Sequence, residues 1–154
     1  MNNKFFLQGI LFNRPFAAAQ ICGRGIDGIA EFYRMNNKVA VVTNVSGLPQ
    51  TPTNIFGFHI HAGGCCGGTP EDPFSETGTH YNPDNTEHPN HAGDLPPLFS
   101  NNGKAFLVVL TDRFSPCEII GKTVVIHDMP DDFKTQPSGA SGKKIACGII
   151  KQIG

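Results

Sequence analysis

Apolar and polar residues alternate over short segments of this chain, and no segment carries an i, i+3, i+4, i+7 apolar stripe of helical length. Residues 38–46 (KVAVVTNVS) have valine at alternate positions and many β-branched side chains, which predicts a half-buried strand. Residues 28–35 (GIAEFYRM) also have the composition of a strand. Between them, Asn36 and Asn37 tolerate a positive φ, so the two segments are predicted to form a β-hairpin.

A second turn signal, Asn101-Asn102-Gly103, precedes residues 104–111 (KAFLVVLT) and predicts another hairpin. The remaining strand candidates are residues 55–61, 123–127 and 145–150. Seven or eight short strands separated by turn residues predict an all-β sandwich or barrel.

Glycine and proline are abundant, at 18 and 12 of 154 residues, and many lie in two long stretches without a strand pattern, residues 62–99 and 128–144. Loops of this length inside a compact domain are usually functional. Each follows a strand candidate that ends in a histidine, so we expect the loops to enclose a site at that end of the sheet. The net charge of -1 gives no indication of a nucleic-acid or membrane-surface partner.

The N-terminal residues have some features of a signal peptide, because a lysine precedes an apolar run over residues 5–12. Gln8 and Gly9 interrupt this run, and no stretch reaches the ~18 to 20 apolar residues that a transmembrane helix needs. We therefore predict that residues 1–16 are an N-terminal extension and that residues 17–154 form one soluble domain. The predicted location is cytoplasmic, with secretion or a periplasmic location as the alternative.

Two histidines alternate with apolar residues in the segment FHIH, so His59 and His61 are predicted to lie on one face of a strand. Two imidazoles at this spacing can bind one metal ion, although an isolated pair is more often solvated. His127 ends another predicted strand, residues 123–127.

The other histidines lie in a segment without strand pattern, His80 in GTHYNP and then His88 and His91, followed by Asp94, in HPNHAGD. Nearby prolines and glycines exclude a helix. Three nitrogen and oxygen donors within seven residues, with His80 close by, suit a closed tetrahedral zinc site, and a polar surface loop is the alternative.

The segments GFHIH, GTHYNP, HAGDLPPL, IIGKTVVIHD and ACGII occur in this order, and through them the chain resembles the copper/zinc superoxide dismutases of bacterial type. The resemblance extends from about residue 17 to residue 150. It implies an immunoglobulin-like Greek-key sandwich or barrel of about eight antiparallel strands with two long loops. It also implies an enzyme that converts superoxide to dioxygen and hydrogen peroxide by one-electron cycling of copper beside a structural zinc.

The resemblance assigns a role to every histidine of the chain. It implies that copper is bound by His59, His61, His80 and His127. It implies that zinc is bound by His80, His88, His91 and Asp94. In this assignment His80 bridges the two ions and carries a proton during catalysis, and Asp131 links the copper histidines to the zinc histidines.

The resemblance also gives roles to a cysteine pair and a lysine. Cys147 in ACG would form a disulfide with Cys66, five residues after His61, with the adjacent Cys65 as the alternative partner. Three residues before this cysteine the family carries an arginine that guides superoxide to copper, and this chain has Lys144. Lysine keeps the charge but lacks the planar fork of arginine, so we expect electrostatic steering with weaker positioning of the anion.

Two other functions compete with dismutation. The first is a metal-binding or copper-delivery protein of the same fold with little dismutase activity. The second is a cupin or a zinc hydrolase, but cupins need a glutamate where this chain has Gly64 and Cys65, and hydrolysis needs an open zinc and a general base. Only two residues separate His88 from His91, fewer than in many members of the family, and so short a loop would still close the site but remove contacts used for dimer formation. A homodimer remains a candidate assembly.

Overall fold

The computed structural model of the chain describes residues 8, 10 and 13–153. Its strands are β1 (Ala17–Gly23), β2 (Ile26–Met35), β3 (Lys38–Ser46), β4 (Ile55–Phe56), β5 (Phe58–His61), β6 (Leu98–Phe99), β7 (Ala105–Thr111), β8 (Thr123–His127), β9 (Lys144–Ile149) and β10 (Lys151–Gln152). Two short 3-10 helices are present, Ser75–Thr77 and Pro116–Ile119. Among the described residues, no helix has the length and apolar character to cross a membrane. The extension predicted for residues 1–16 lies largely outside the described residues.

The main sheet is antiparallel and has the strand order β5-β8-β9-β1-β2-β3-β7, with β10 added to β1. After β3 the chain crosses to the far end of the sheet to form β5, returns to form β7 beside β3, and crosses again to form β8. These crossings are Greek-key connections. The predicted all-β fold of about eight antiparallel strands with two long loops is confirmed, the loops being residues 62–97 and 128–143.

One apolar core holds the sheet together. Phe58 and Ile60 of β5, at one end of the strand order, belong to the same buried cluster as Ala105 of β7 at the other end. Phe32 of β2 and Ile126 of β8 are fully buried in this cluster. Because strands from both ends of the order share one core, the sheet curls around it.

The first predicted hairpin is confirmed. Strands β2 and β3 pair in register up to Met35 opposite Lys38, and Asn36 at the turn has a φ of 59°. Asparagine tolerates this left-handed conformation better than most residues do, which is why the sequence signal was reliable here.

The turn of the second predicted hairpin is present, but the strand that follows it does not pair with the segment before the turn. Asn102 and Gly103 have φ values of 51° and 77°, and a single bridge joins Asn101 to Lys104. Beyond that bridge β7 pairs with β3, and β6 pairs with β4. The turn is local, whereas the choice of partner depends on burying the inward side chains of β7 in the core.

The segment predicted as one strand over residues 55–61 is divided at Gly57. The N–H of Gly57 donates to the carbonyl of Met129, and its carbonyl accepts from the N–H of His127, both at 2.8 Å. A Cβ at this position would lie 2.9 Å from the Cβ of Ser141. Glycine therefore lets the second long loop approach the sheet closely beside β5.

Strand β5 is buried on both of its faces. Phe58 and Ile60 point into the core, so His59 and His61 point to the opposite face, where the two long loops cover them. The loops enclose a site at this end of the sheet, as predicted.

Candidate metal centre

The first long loop runs antiparallel along β5 and places its own polar side chains beside the strand histidines. Isolated bridges pair His61 with His80 and His59 with Asp94. The N–H of Ile60 donates to the carbonyl of Gly93, and its carbonyl accepts from the N–H of Tyr81, both at 2.8 Å. The loop thus behaves locally as an extra strand, and this geometry brings residues 19 to 35 positions apart into contact.

Two groups of four potential ligand atoms result, each with all its atoms within 4.8 Å of one another. The first group is His59, His61, His80 and His127, and the second is His80, His88, His91 and Asp94. All seven side chains are buried. The structure therefore brings together every residue that was predicted to bind copper and every residue that was predicted to bind zinc.

His80 belongs to both groups because its two ring nitrogens face in different directions. Its Nδ1 lies 2.7 Å from Asp94 Oδ1 and 3.3 Å from His91 Nδ1. Its Nε2 is buried without a hydrogen-bond partner. The ring also stacks on His59 with a centroid separation of 4.0 Å. This placement suits a ligand that is shared by two ions.

Backbone carbonyls determine which ring nitrogen carries the proton in two of the strand histidines. His61 Nδ1 donates to Gly78 O at 2.9 Å, and His127 Nδ1 donates to Gly142 O at 3.4 Å. A neutral imidazole holds one proton, so Nε2 of both rings carries a lone pair. These two Nε2 atoms are 3.2 Å apart with no proton between them, which is a repulsive arrangement unless a cation is present.

Asp131 likewise determines which ring nitrogen carries the proton in one histidine of each group, His59 and His88. Its Oδ2 accepts from His59 Nε2 at 2.8 Å, and its Oδ1 accepts from His88 Nε2 at 2.8 Å. The N–H of Phe133 donates to Oδ1 at 2.7 Å and holds the carboxylate in place. Nδ1 of both histidines is consequently left with a lone pair that points into its own group. Asp131 thus contacts one histidine of each group, and its role as a link between copper and zinc histidines stays a prediction.

The unpaired atoms test whether these residues fit metal ions. Within the part of the chain that the structure describes, four buried side-chain polar atoms lack a hydrogen-bond partner, and three are His59 Nδ1, His80 Nε2 and His88 Nδ1. His88 Nδ1 lies 3.1 Å from Asp94 Oδ2, but the geometry does not form a hydrogen bond. Buried acceptors without donors are costly, and a bound cation removes that cost. The residues therefore fit copper and zinc, both of which imidazole binds well.

Burial keeps His61 and His127 in the neutral form that a metal requires. Desolvation lowers the pKa of His61 to about 2 and the pKa of His127 to about 3. Burial alone would raise the pKa of Asp131, but the hydrogen bonds from His59, Phe133 and His88 hold it at about 2. Near neutral pH the imidazoles of His61 and His127 are thus neutral and the carboxylate of Asp131 is ionised, so protons compete little with a metal ion at these two histidines.

Comparison with known proteins identifies the family. The sequence model of copper/zinc superoxide dismutase matches residues 26–150. The chain belongs to the copper/zinc superoxide dismutase family.

Relatives within this family are named as dismutases. The chain is 35% identical over 152 residues to Cu-Zn superoxide dismutase 5 of Dictyostelium discoideum, which covers 87% of this chain and 95% of the relative. It is 34% identical over 139 residues to Cu-Zn superoxide dismutase 2 of Aquifex aeolicus, covering 80% and 78%. It is 36% identical over 129 residues to the Cu-Zn superoxide dismutase of Photobacterium leiognathi, covering 75% and 74%.

The protein is therefore an oxidoreductase that disproportionates superoxide and uses copper and zinc. The predicted family and activity are confirmed. Nothing in the site or in these relatives favours the copper-delivery alternative, and membership of the family excludes a cupin or a zinc hydrolase.

A disulfide tethers the first long loop of this dismutase to β9. The structure joins Cys66 to Cys147, which are 81 positions apart in sequence. The alternative partner, Cys65, is an exposed free thiol whose Sγ accepts a hydrogen bond from the N–H of Gly67 at 3.3 Å. The disulfide thereby fixes the start of the loop that carries His80.

Lys144 lies on the wall of a cavity of about 340 Å³ that also borders His61, His80 and His127. Its Nζ donates to Gly78 O at 3.1 Å and to Phe74 O at 3.3 Å. Burial lowers the pKa of Lys144 from its usual value. Loop carbonyls thus hold the lysine nitrogen beside the cavity that reaches the dismutase histidines.

Sequence reasoning missed the backbone that orients the ligands. The carbonyls of Gly78 and Gly142 fix the rings of His61 and His127, yet a carbonyl leaves no sequence signature. Gly139 was also missed, although the run SGASG was a usable signal. Gly139 has a φ of 69° and lies close to Asp131 and His88. A Cβ added at Gly139 would lie 2.6 Å from His88 Nε2.

Proposed function

We propose that His59, His61, His80 and His127 bind copper in this dismutase. We propose further that His80, His88, His91 and Asp94 bind zinc, so that His80 is shared. The observation that carries this assignment is the convergence of unpaired ring nitrogens: His80 Nε2 and His59 Nδ1 face one group, and His88 Nδ1 faces the other.

Copper bound in the first group supplies the one-electron exchange that dismutation requires. Two superoxide ions and two protons give one dioxygen and one hydrogen peroxide. When it is not bound to an ion, His80 Nε2 would have no competing hydrogen bond and would be able to take up a proton and release it to the product. His80 Nδ1 stays in the second group beside Asp94, which keeps the ring in place while the proton moves.

The role proposed for Lys144 is attraction of superoxide into the cavity. The net charge of the chain is -1, so attraction of an anion must come from local cations. Lys144 Nζ lies at the cavity wall, held by the carbonyls of Gly78 and Phe74. Because two of its donors are engaged by carbonyls, Lys144 attracts the anion electrostatically and makes few direct hydrogen bonds to it.

The assignment is tested by metal analysis and a dismutation assay on metal-free, zinc-loaded and copper/zinc-loaded protein. We expect one copper and one zinc per chain and activity only in the form that contains copper. His80→Ala is expected to alter the visible spectrum of bound copper and to weaken zinc binding in the same protein. Lys151→Ala on the exposed strand β10 serves as the control and should change neither property. An unchanged copper spectrum in His80→Ala would contradict the shared ligand.

We extend the proposal to assembly as a homodimer. Strand β7 is last in the strand order, and its outward side chains are Phe106, Val108 and Leu110, of which Phe106 is 69% exposed. Such an apolar edge is suited to burial against a second copy. Sedimentation should give twice the chain mass for the wild type and the single mass for Phe106→Lys. A single mass for both proteins would contradict the dimer.

The domain boundary and the cellular location are proposals of the same kind. Strand β1 begins at Ala17, which supports a domain of residues 17–154 after an extension of residues 1–16. Phe16 lies at this boundary, and its N–H donates to Phe32 O at 2.9 Å. The cytoplasmic location is tested by cell fractionation. Recovery with a cytoplasmic marker would support it, and release with a periplasmic marker would contradict it and would agree with the oxidising environment that disulfides favour.

A further inference from the structure

We propose that Arg113 and Gln136, which lie outside the ligand set, form a clamp that holds the zinc-ligand loop, residues 88–94, in its binding geometry before the ion arrives. The clamp consists of these two side chains. Neither residue belongs to the two groups of potential ligands. The inference rests on the zinc assignment proposed above.

Gln136 holds the backbone of the first loop ligand from both sides. Its Oε1 accepts from the N–H of His88 at 2.9 Å, and its Nε2 donates to the carbonyl of His88 at 2.7 Å. This pairing is the one that a neighbouring strand would provide, but here one side chain supplies it. The same imidazole ring is held by Asp131 at its Nε2, so both the backbone and the ring of His88 are fixed from the second long loop.

Arg113 holds the rest of the zinc-ligand loop through three carbonyl oxygens. One terminal guanidinium nitrogen donates to Pro89 O at 2.8 Å and lies 3.3 Å from His91 O and 3.5 Å from Asp94 O. The first distance is a full hydrogen bond, and the other two are longer contacts that share the remaining N–H. A cation among these three carbonyl dipoles draws the loop backbone at Pro89, His91 and Asp94 toward one point.

The segment that carries Arg113 is itself well anchored. Phe114 is buried in the core, and Asp112 lies 3.6 Å from Lys38 Nζ of β3 in an ion pair. The Ser115 and Glu118 side chains form a capping box over the 3-10 helix that follows. Arg113 therefore extends from a rigid base onto a loop that has no strand or helix of its own between residues 88 and 94.

The clamp preorganises the zinc-ligand loop for metal binding. Without the clamp, the zinc-ligand loop would have to be ordered at the moment of metal binding, and the lost conformational freedom would weaken the observed affinity. With the clamp, hydrogen bonds that do not involve a metal hold the backbone of His88 and Pro89 in the arrangement in which His88, His91 and Asp94 converge. Both clamp side chains are exposed, so replacing them leaves the core intact.

The test measures zinc retention in competition with a chromophoric chelator, using the purified full-length chain. The variants are Arg113→Met, Gln136→Met and the double variant, with Lys151→Met and Gln152→Met as matched controls on exposed β10. Each clamp variant is expected to raise the zinc dissociation constant roughly tenfold, at the lower end of the range for residues that support metal ligands, and the double variant should raise it further. The controls should retain wild-type affinity.

Thermal unfolding separates a positioning role from a general loss of stability. The proposal predicts that the melting temperature of the metal-free protein changes little in the clamp variants, while the increase that zinc produces becomes smaller. Equal lowering of both melting temperatures, with unchanged zinc affinity, would overturn the proposal. His91→Ala tests the zinc assignment separately from the clamp. If this variant retains zinc as the wild type does, the zinc assignment fails. If His91→Ala loses zinc and the clamp variants match their controls, only the clamp fails.

Discussion

Removal of the Asp131 carboxylate is expected to weaken zinc binding more than copper binding. The carboxylate accepts one hydrogen bond from His59 Nε2 and one from His88 Nε2, both at 2.8 Å. A hydrogen bond to a charged group contributes about 1.5 to 3 kcal/mol, which corresponds to about 10- to 150-fold in affinity at ~1.4 kcal/mol per factor of ten. In Asp131→Ala each metal group loses one such bond.

The difference between the two metals follows from what still holds each histidine. His59 remains on β5, which pairs with β8 and is buried on both faces, so its ring retains most of its orientation. His88 lies in a loop and depends on side-chain contacts. We therefore expect zinc affinity to fall by roughly 10- to 100-fold and copper affinity by less than tenfold.

Chelator competition on the two separately loaded proteins measures both affinities for Asp131→Ala. The matched control is Asp132→Ala, which removes the same charge from an exposed neighbour. The Asp132 carboxylate accepts from the N–H groups of Lys134 and Thr135 and from the Thr135 hydroxyl, all in its own turn. Asp132→Ala should retain both metals. Unchanged zinc affinity in Asp131→Ala, or a larger loss of copper than of zinc, would refute the reasoning.

Three other changes have defined outcomes. Replacing Cys66 by serine releases a tether of 81 positions and should lower the free energy of unfolding by about 4 to 5 kcal/mol, measured by denaturant titration against Cys65→Ser, which should have little effect. Gly139→Ala places a Cβ against Asp131 at a φ of 69° and should reproduce the zinc loss of Asp131→Ala; wild-type zinc affinity would contradict this. Lys144→Arg should raise kcat/KM a few-fold because the planar guanidinium of arginine positions the anion. An unchanged kcat/KM with an unchanged ionic-strength dependence would contradict the proposed role of Lys144.

The residues of the two groups of potential ligands could be selected from the sequence because each motif is local. The alternation in FHIH places His59 and His61 on one strand face, and the period of a strand guarantees it. The turn at Asn36 was predictable for the same reason, since its conformation depends on the residue itself.

Features that depend on distant partners were not predictable. Strand β1 was missed because its inward residues include Ala17 and Ala19, whose small side chains give a weak alternation signal. The pairing of β7 with β3 has no sequence signal because packing in the core decides it. The contacts of Arg113 and Gln136 with the zinc-ligand loop join residues 19 to 48 positions apart and involve backbone atoms, so no motif marks them.

The central claim is that two different ions lie on either side of the His80 ring, one at Nε2 and one at Nδ1. The most direct test is a crystal structure of the metal-loaded protein with anomalous difference maps recorded on both sides of the copper and zinc absorption edges. The account predicts a copper peak among His59, His61, His80 and His127 and a separate zinc peak among His80, His88, His91 and Asp94. A single peak, two peaks of the same element, or a peak that His80 does not contact would contradict it.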